Sequence, residues 1–121
     1  HRKIAVLGDM MELGRFSTDE HRKIGREAAG IVNILITVGP RAQMIAEEAL
    51  RSGIPADYVK CFDSSSDAAP YVASIAGAGD IILVKGSQSP RLERVTKALL
   101  REPEKADKLL VRQEEEWLNK K

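Results

Sequence analysis

The chain is predicted to fold as an α/β domain with an open, mostly parallel sheet and helices on both faces. Three observations carry that prediction. Four short apolar runs, at residues 4–7, 34–38, 58–62 and 81–84, are rich in β-branched residues and leucine and do not alternate with polar ones. Such runs suit strands covered on both faces. Helix-period segments separate them, so the order reads βαβαβαβα, which favours parallel pairing through helical crossovers. The length of 121 residues is enough for one domain with a real core and too few for two. Residues 1–121 are therefore one domain, with a core at 3–101 and a tail at 102–121.

Each helix has its own signals. Ser17 is a candidate N-cap with Glu20 three residues on, the pattern of a capping box. The first helix then places Ile24, Ala28 and Ile31 on one face, and Gly25 and Ala29 are small enough to let it approach the sheet closely. The second runs from Pro40, suited to the first helical position, to Ser52, with Gly53 as a stop. Ala42, Ile45, Ala46, Ala49 and Leu50 form its apolar face. Ser64 and Asp67 open the third, with Ala68, Val72 and Ile75 inward. Ser89-Pro90 opens the fourth, with Leu92, Val95 and Leu99 inward, and Glu102-Pro103-Glu104 breaks it. The tail reads in two ways. Residues 105–117 form a helix, or an edge strand at 109–111 precedes one.

Composition excludes several function classes. Nineteen basic and eighteen acidic residues leave a formal charge of +1, which offers no field for nucleic acid or membrane. Aromatic residues make up 4% of the chain, too few for a base-stacking surface. No apolar run is long enough to cross a bilayer and no signal-peptide pattern opens the chain. Cys61 is the only cysteine, so no internal disulfide forms, in keeping with a cytoplasmic setting. It lies in a strand and reads as a buried small hydrophobe. No second Cys or His is spaced to build a metal site with it. Trp117, among Glu114, Glu115, Glu116 and Lys120, reads as packing for the tail. The chain begins inside a strand-like run without an initiator Met, as a segment cut from a longer polypeptide would.

Ligands of such sheets bind at the carboxyl ends of the strands. Four segments should meet there: 8–14, Gly39-Pro40, 63–66 and 85–89. The first holds Gly8, Asp9, Met10, Met11, Glu12, Leu13 and Gly14. Its glycines lack the G-x-G-x-x-G spacing of a dinucleotide fingerprint, and no G-x-x-x-x-G-K-[ST] run occurs anywhere. Gly77-Ala78-Gly79 precedes a strand and reads as a turn. Asp9 and Glu12 can hold a metal-bound water, orient an amine or meet a ribose. In the plainer reading Asp9 caps the loop backbone and Glu12 is solvated. His21 falls in the first turn of its helix, on or beside the sheet-facing stripe. It either takes part in the crevice or holds the 8–14 loop in place. Lys85-Gly86-Ser87 offers a point charge, close backbone approach and a hydroxyl, or else is a strand-to-helix turn with a solvated lysine.

These residues resemble a known family. Residues 3–14 are similar to the "KIAVLGDMLELG" that opens the C-terminal domain in the D-alanyl-D-alanine-adding branch of the Mur ligases. Glu20-His21-Arg22-Lys23-Ile24-Gly25 resembles "EEHRKIG". Gly79-Asp80-Ile81-Ile82-Leu83-Val84-Lys85-Gly86-Ser87 resembles "GDVVLVKGSR", and Arg91-Leu92-Glu93 resembles the helix start that follows. Coverage runs from the first strand to about Leu100, the middle agreeing only in pattern.

The resemblance implies a Rossmann-like three-layer sandwich, its mixed sheet leaving room for an antiparallel edge strand. It implies the C-terminal domain of a three-domain cytoplasmic ligase of peptidoglycan synthesis. There ATP phosphorylates the terminal carboxylate of UDP-MurNAc-tripeptide, and the amine of D-Ala-D-Ala attacks the acyl phosphate. The N-terminal domain holds the UDP sugar, and the central domain carries the P-loop and the Mg²⁺ ligands. The C-terminal domain closes over the nucleotide. Carried over, Asp9 is the catalytic residue, in a loop of Gly8, Met10, Glu12 and Gly14 that faces nucleotide and acyl phosphate. His21 supports that loop, and Lys85, Gly86, Ser87 and Gln88 line the dipeptide side. Met11 stands where the family has leucine, a harmless change by volume. Gln88 stands where it has arginine, which alters the grip on the dipeptide if that arginine binds its carboxylate.

Two other readings fit the size and element order. A receiver-like signalling domain needs a phospho-acceptor aspartate after the third strand, near Asp63, beside an acidic pair after the first. Gly8-Asp9 supplies only one carboxylate, and a phosphodonor assay would decide. A free-standing small-ligand-binding module is the other, and the size of the native polypeptide would decide that.

Overall fold

The computed structural model describes residues 2–10, 17–86, 93–100 and 110–113. In chain order the elements are β1 (Lys3–Gly8), α1 (Ser17–Ala29), β2 (Ile34–Val38), α2 (Gln43–Arg51), β3 (Val59–Phe62), α3 (Ser65–Ile75), β4 (Ile81–Lys85), α4 (Glu93–Leu100) and β5 (Leu110–Gln113), with a short 3₁₀ turn at Ala56–Tyr58 before β3. The strands form one sheet in the order β3-β2-β1-β4-β5. Every neighbouring pair is parallel. β1 is central: Val6 lies opposite Ile36 on one side and Val84 on the other.

Alternate residues of each strand face opposite layers. Ile4, Val6, Ile36, Val38, Ile82 and Val84 pack against Ala68, Ala69 and Val72 of α3 and Val95 of α4. Ala5, Leu7 and Leu35 pack against Ala28 of α1 and Ala42, Ile45 and Ala49 on or beside α2. Both faces of the inner strands are therefore buried, which is why their sequences run apolar without alternation. Each large aliphatic side chain so placed contributes about 1.5–3 kcal/mol.

Local signals set most boundaries. The Ser64 hydroxyl accepts the Asp67 amide at 3.3 Å and caps α3. Gly53, at φ 110°, ends α2 in the left-handed region. The 77–80 turn closes with the Asp80 amide donating to the Gly77 carbonyl, with Gly79 at φ 87°. At this end of the sheet Arg2 donates to both Asp80 oxygens, Nε to Oδ1 at 3.2 Å and Nη2 to Oδ2 at 2.7 Å. The Gly77 amide donates to the same Oδ2 at 2.8 Å. Burial alone would raise the Asp80 carboxyl. The Arg2 and Gly77 hydrogen bonds and the Arg2 charge outweigh it and hold the group below its ordinary value.

Several expectations need correction. Gly25 gives close approach to α2 rather than to the sheet: an added Cβ would collide with the Ile45 carbonyl oxygen and lie 3.0 Å from Glu48 Cβ. Ile31 is 61% exposed, because α1 ends at Ala29 and the chain turns; Val32 packs in its place. Leu50 is 42% exposed, one residue round the helix from buried Ala49. α2 begins at Gln43, so Pro40 lies in the preceding turn. Ser17 lies inside α1. Tyr58 belongs to the 3₁₀ turn, and Cys61 is exposed because β3 is an edge strand with a half-covered face. The tail does supply a strand, β5, but it runs parallel to β4 and not antiparallel; α4 returns the chain to the end at which β4 began. Ser89, Pro90, Leu92, residues 101–109 and residues 114–121, Trp117 among them, lie outside the described residues.

Candidate functional site

The strand order creates one crevice. From β1 the chain proceeds outward to β2 and β3, then crosses to the opposite side of β1 for β4 and β5. The connections leaving β1 and β4 therefore diverge, and the gap between them lies at the carboxyl ends of these strands, where ligands of open α/β sheets bind. Lys85 ends β4 directly beside Leu7 of β1. The crevice is thus bordered by Gly8, Asp9 and Met10 on one side and Lys85 and Gly86 on the other. Glu12, Gly14, Ser87 and Gln88 lie outside the described residues.

Asp9 is 6% exposed. Its Oδ1 accepts the backbone N–H of Ala42 at 2.7 Å. The need for this bond begins in the sequence of the turn before α2, Gly39-Pro40-Arg41-Ala42, which has no Ser, Thr, Asp or Asn to satisfy helix-start donors. No side chain of the turn caps α2, and Asp9 meets one of these amides from another strand's loop. Gly39 makes room. It holds φ 107°, and a Cβ there would lie 2.6 Å from Asp9 Oδ1 and 2.9 Å from Oδ2. The Gly39 amide donates to the Phe62 carbonyl at 2.8 Å, tying the β2 loop to the end of β3.

On its other side the β1 loop is held by α1. The Met10 amide donates to His21 Nε2 at 3.0 Å, and both residues are buried. Nε2 is therefore the acceptor, so a neutral His21 carries its proton on Nδ1. Of the expected site residues, Gly8, Asp9, Met10 and His21 meet in one cluster, and Lys85 and Gly86 stand across the crevice. The sequence reading missed the Asp9 link to Ala42, although the capless start of α2 was the available signal.

Among the described residues no three His, Cys, Asp or Glu side chains converge as a metal site. Asp9, with one oxygen engaged, does not make a Mg²⁺ site by itself. Asp9 and Asp63 follow strands separated by β2, so they do not form the acidic cluster a receiver-like site needs. An open groove of about 480 Å³ lies at the opposite end of the sheet, lined by Arg2, Val32, Asn33, Ile54 and Tyr58 among others. It is remote from the crevice.

The family described as "Mur ligase, glutamate ligase domain" matches residues 1–88. The chain belongs to this Mur ligase family. It is 33% identical over 103 residues to the UDP-N-acetylmuramoyl-tripeptide–D-alanyl-D-alanine ligase of Bacillus subtilis, covering 84% of this chain and 22% of that enzyme. Among solved structures, MurF from Acinetobacter baumannii superposes with a TM-score of 0.68 at 28% identity, over 84% of this chain and 22% of that one. MurF from Thermotoga maritima, in complex with ADP, gives 0.65 at 27% identity, over 87% and 23%. The chain thus spans a little over a fifth of the length of these Mur ligases and has the α/β fold of their matching portion.

Proposed function

We propose that the chain works as the closing domain of a MurF-type ligase, which joins D-Ala-D-Ala to UDP-MurNAc-tripeptide at the expense of ATP. The observation that carries this reading is the crevice at the β1/β4 switch point. It is bordered by residues 8–10 and 85–86, which belong to the two sequence segments that resemble the D-alanyl-D-alanine-adding ligases. Membership of the Mur ligase family and the ADP-bound relative support it.

In the proposed reaction the tripeptide carboxylate takes the γ-phosphoryl group of ATP. The dipeptide amine then attacks the acyl carbon, the new C–N bond replaces the C–OP bond, and phosphate leaves with the amine proton released. The P-loop and Mg²⁺ belong to a central domain, since this chain has no Walker sequence. The isolated chain is accordingly inactive. Its share is to exclude water and complete the site on closure. The β1 loop, with Gly8, Asp9, Met10, Glu12 and Gly14, faces the nucleotide and acyl phosphate, with Asp9 the residue on which turnover depends most. His21 holds that loop, and Lys85, Gly86, Ser87 and Gln88 face the dipeptide. The setting is the cytoplasm, where nucleotide and precursor are available.

The test is ligation by the full-length polypeptide supplied with UDP-MurNAc-tripeptide, D-Ala-D-Ala and Mg-ATP. Formation of the pentapeptide precursor with one phosphate released per amide is the expected result. Absence of product, with the isolated chain also giving no amide shifts at residues 8–10 or 85–86 on titration with either ligand, sinks the reading.

A further inference from the structure

We propose that Asp9 serves ligation as a positioning residue, its carboxylate a strut between the β1 loop and the turn before α2, and that Gly39 is the residue that makes the seat for it. This rests on the ligase reading and specifies how one of its residues acts. Three observations carry it. First, the carboxylate is already employed: Oδ1 takes the Ala42 amide at 2.7 Å in a nearly buried position. A charge-assisted bond in such surroundings is short and strong, so Asp9 is held and does not swing between partners. Second, the carboxylate lies against the bare face of Gly39. All three of its atoms, Oδ1, Cγ and Oδ2, fall within 2.6 to 2.9 Å of where a Cβ would be. Any side chain at position 39 displaces the group, and the positive φ disfavours one in any case. Third, the strut is one link of a chain across the sheet. His21 holds Met10, Asp9 holds Ala42, and Gly39 holds Phe62. The loops that end β1, β2 and β3 are therefore tied to one another.

A strut and a proton-transfer group respond differently to the same substitutions. Asn keeps the acceptor oxygen and loses the charge. Ala loses both. If Asp9 acts through position, D9N in the full-length ligase lowers kcat by roughly fivefold, the scale of a weakened hydrogen bond. D9A and G39A lower it by on the order of 10²-fold, the cost of a misplaced loop. The pH profile of kcat/KM keeps its shape in D9N, because no titrating group is removed from the chemistry. In the 121-residue chain, hydrogen exchange at the Ala42 amide stays slow in D9N and accelerates in D9A and G39A. A D9N enzyme as impaired as D9A, or one that loses a limb of the pH profile, overturns the proposal. So does G39A with wild-type kcat and an unprotected Ala42 amide. A wild-type polypeptide that forms no amide, with no ligand-induced amide shifts in the isolated chain, overturns the ligase reading beneath it, which is a separate result.

Discussion

The Met10 backbone amide donates to Nε2 of His21, with 3.0 Å between the two nitrogens and both residues buried. A buried N–H has no water to turn to, so the imidazole must present a lone pair at this nitrogen for the β1 loop to keep its position. Replacement of His21 by Ala removes that acceptor and leaves a void beside the loop. The expected loss is about 2–3 kcal/mol of unfolding free energy, most of it the unpaired amide. Urea denaturation of the chain measures it, and a loss below the error of the method would mean that the loop finds another partner.

Gly25 sits where α1 crosses α2, and its missing side chain is what lets the Ile45 carbonyl approach. Backbone cannot move aside as a flexible side chain can. Gly25→Ala should therefore destabilise by about 1–3 kcal/mol, despite the better helix propensity of alanine. Stabilisation in a thermal melt would show that the two helices have slack between them.

The Arg2–Asp80 pair gives the fold a pH dependence of definite sign. Asp80 titrates lower in the folded chain than in the unfolded one. Its contribution is therefore complete above the ordinary carboxylate range, near pH 4, and is lost as pH falls through the lowered folded value. The Arg2 side chain is 42% exposed, so screening limits the ion pair to about 1 kcal/mol or less. The stability gap between wild type and Asp80→Asn should stay flat at neutral pH and narrow in acid. A gap that widens below pH 4 would contradict the assignment.

Ser64 caps α3 through the Asp67 amide. Its replacement by Ala should cost about 0.5–2 kcal/mol, with Ser64→Thr, which keeps a hydroxyl to accept the Asp67 amide and donate to the Asp67 carboxylate, recovering most of the loss. Both are read from the denaturation midpoint at unchanged slope.

Much of this architecture is legible in the residues themselves. The apolar runs at 34–38 and 81–84 mark β2 and β4 almost to the residue, because strands covered on both faces have no polar face to blur the pattern. What escapes is whatever depends on strand order. Cys61 reads as buried, and is exposed, because nothing local to it says that β3 lies at an edge. Gly25 reads as facing the sheet, since spacing along α1 does not reveal that α2 packs beside it. At the candidate site, Asp9 and His21 are recognisable as residue types worth watching, and the motif around them places them at a crevice. The partner of Asp9, the Ala42 amide, is a backbone group on another loop and has no side-chain signature. Only the missing cap of α2 hints at it.

β1, which precedes the other four described strands in chain order, occupies the middle of the sheet. Ile4 pairs with Ile34 on one side and with Ile82 on the other. During synthesis one edge of β1 can be satisfied as soon as β2 emerges, while the other stays open through α2, β3 and α3. For that interval the nascent chain carries an unpaired, apolar edge of the kind that recruits other chains. Pairing of Ile81–Lys85 with β1 is therefore what closes that edge.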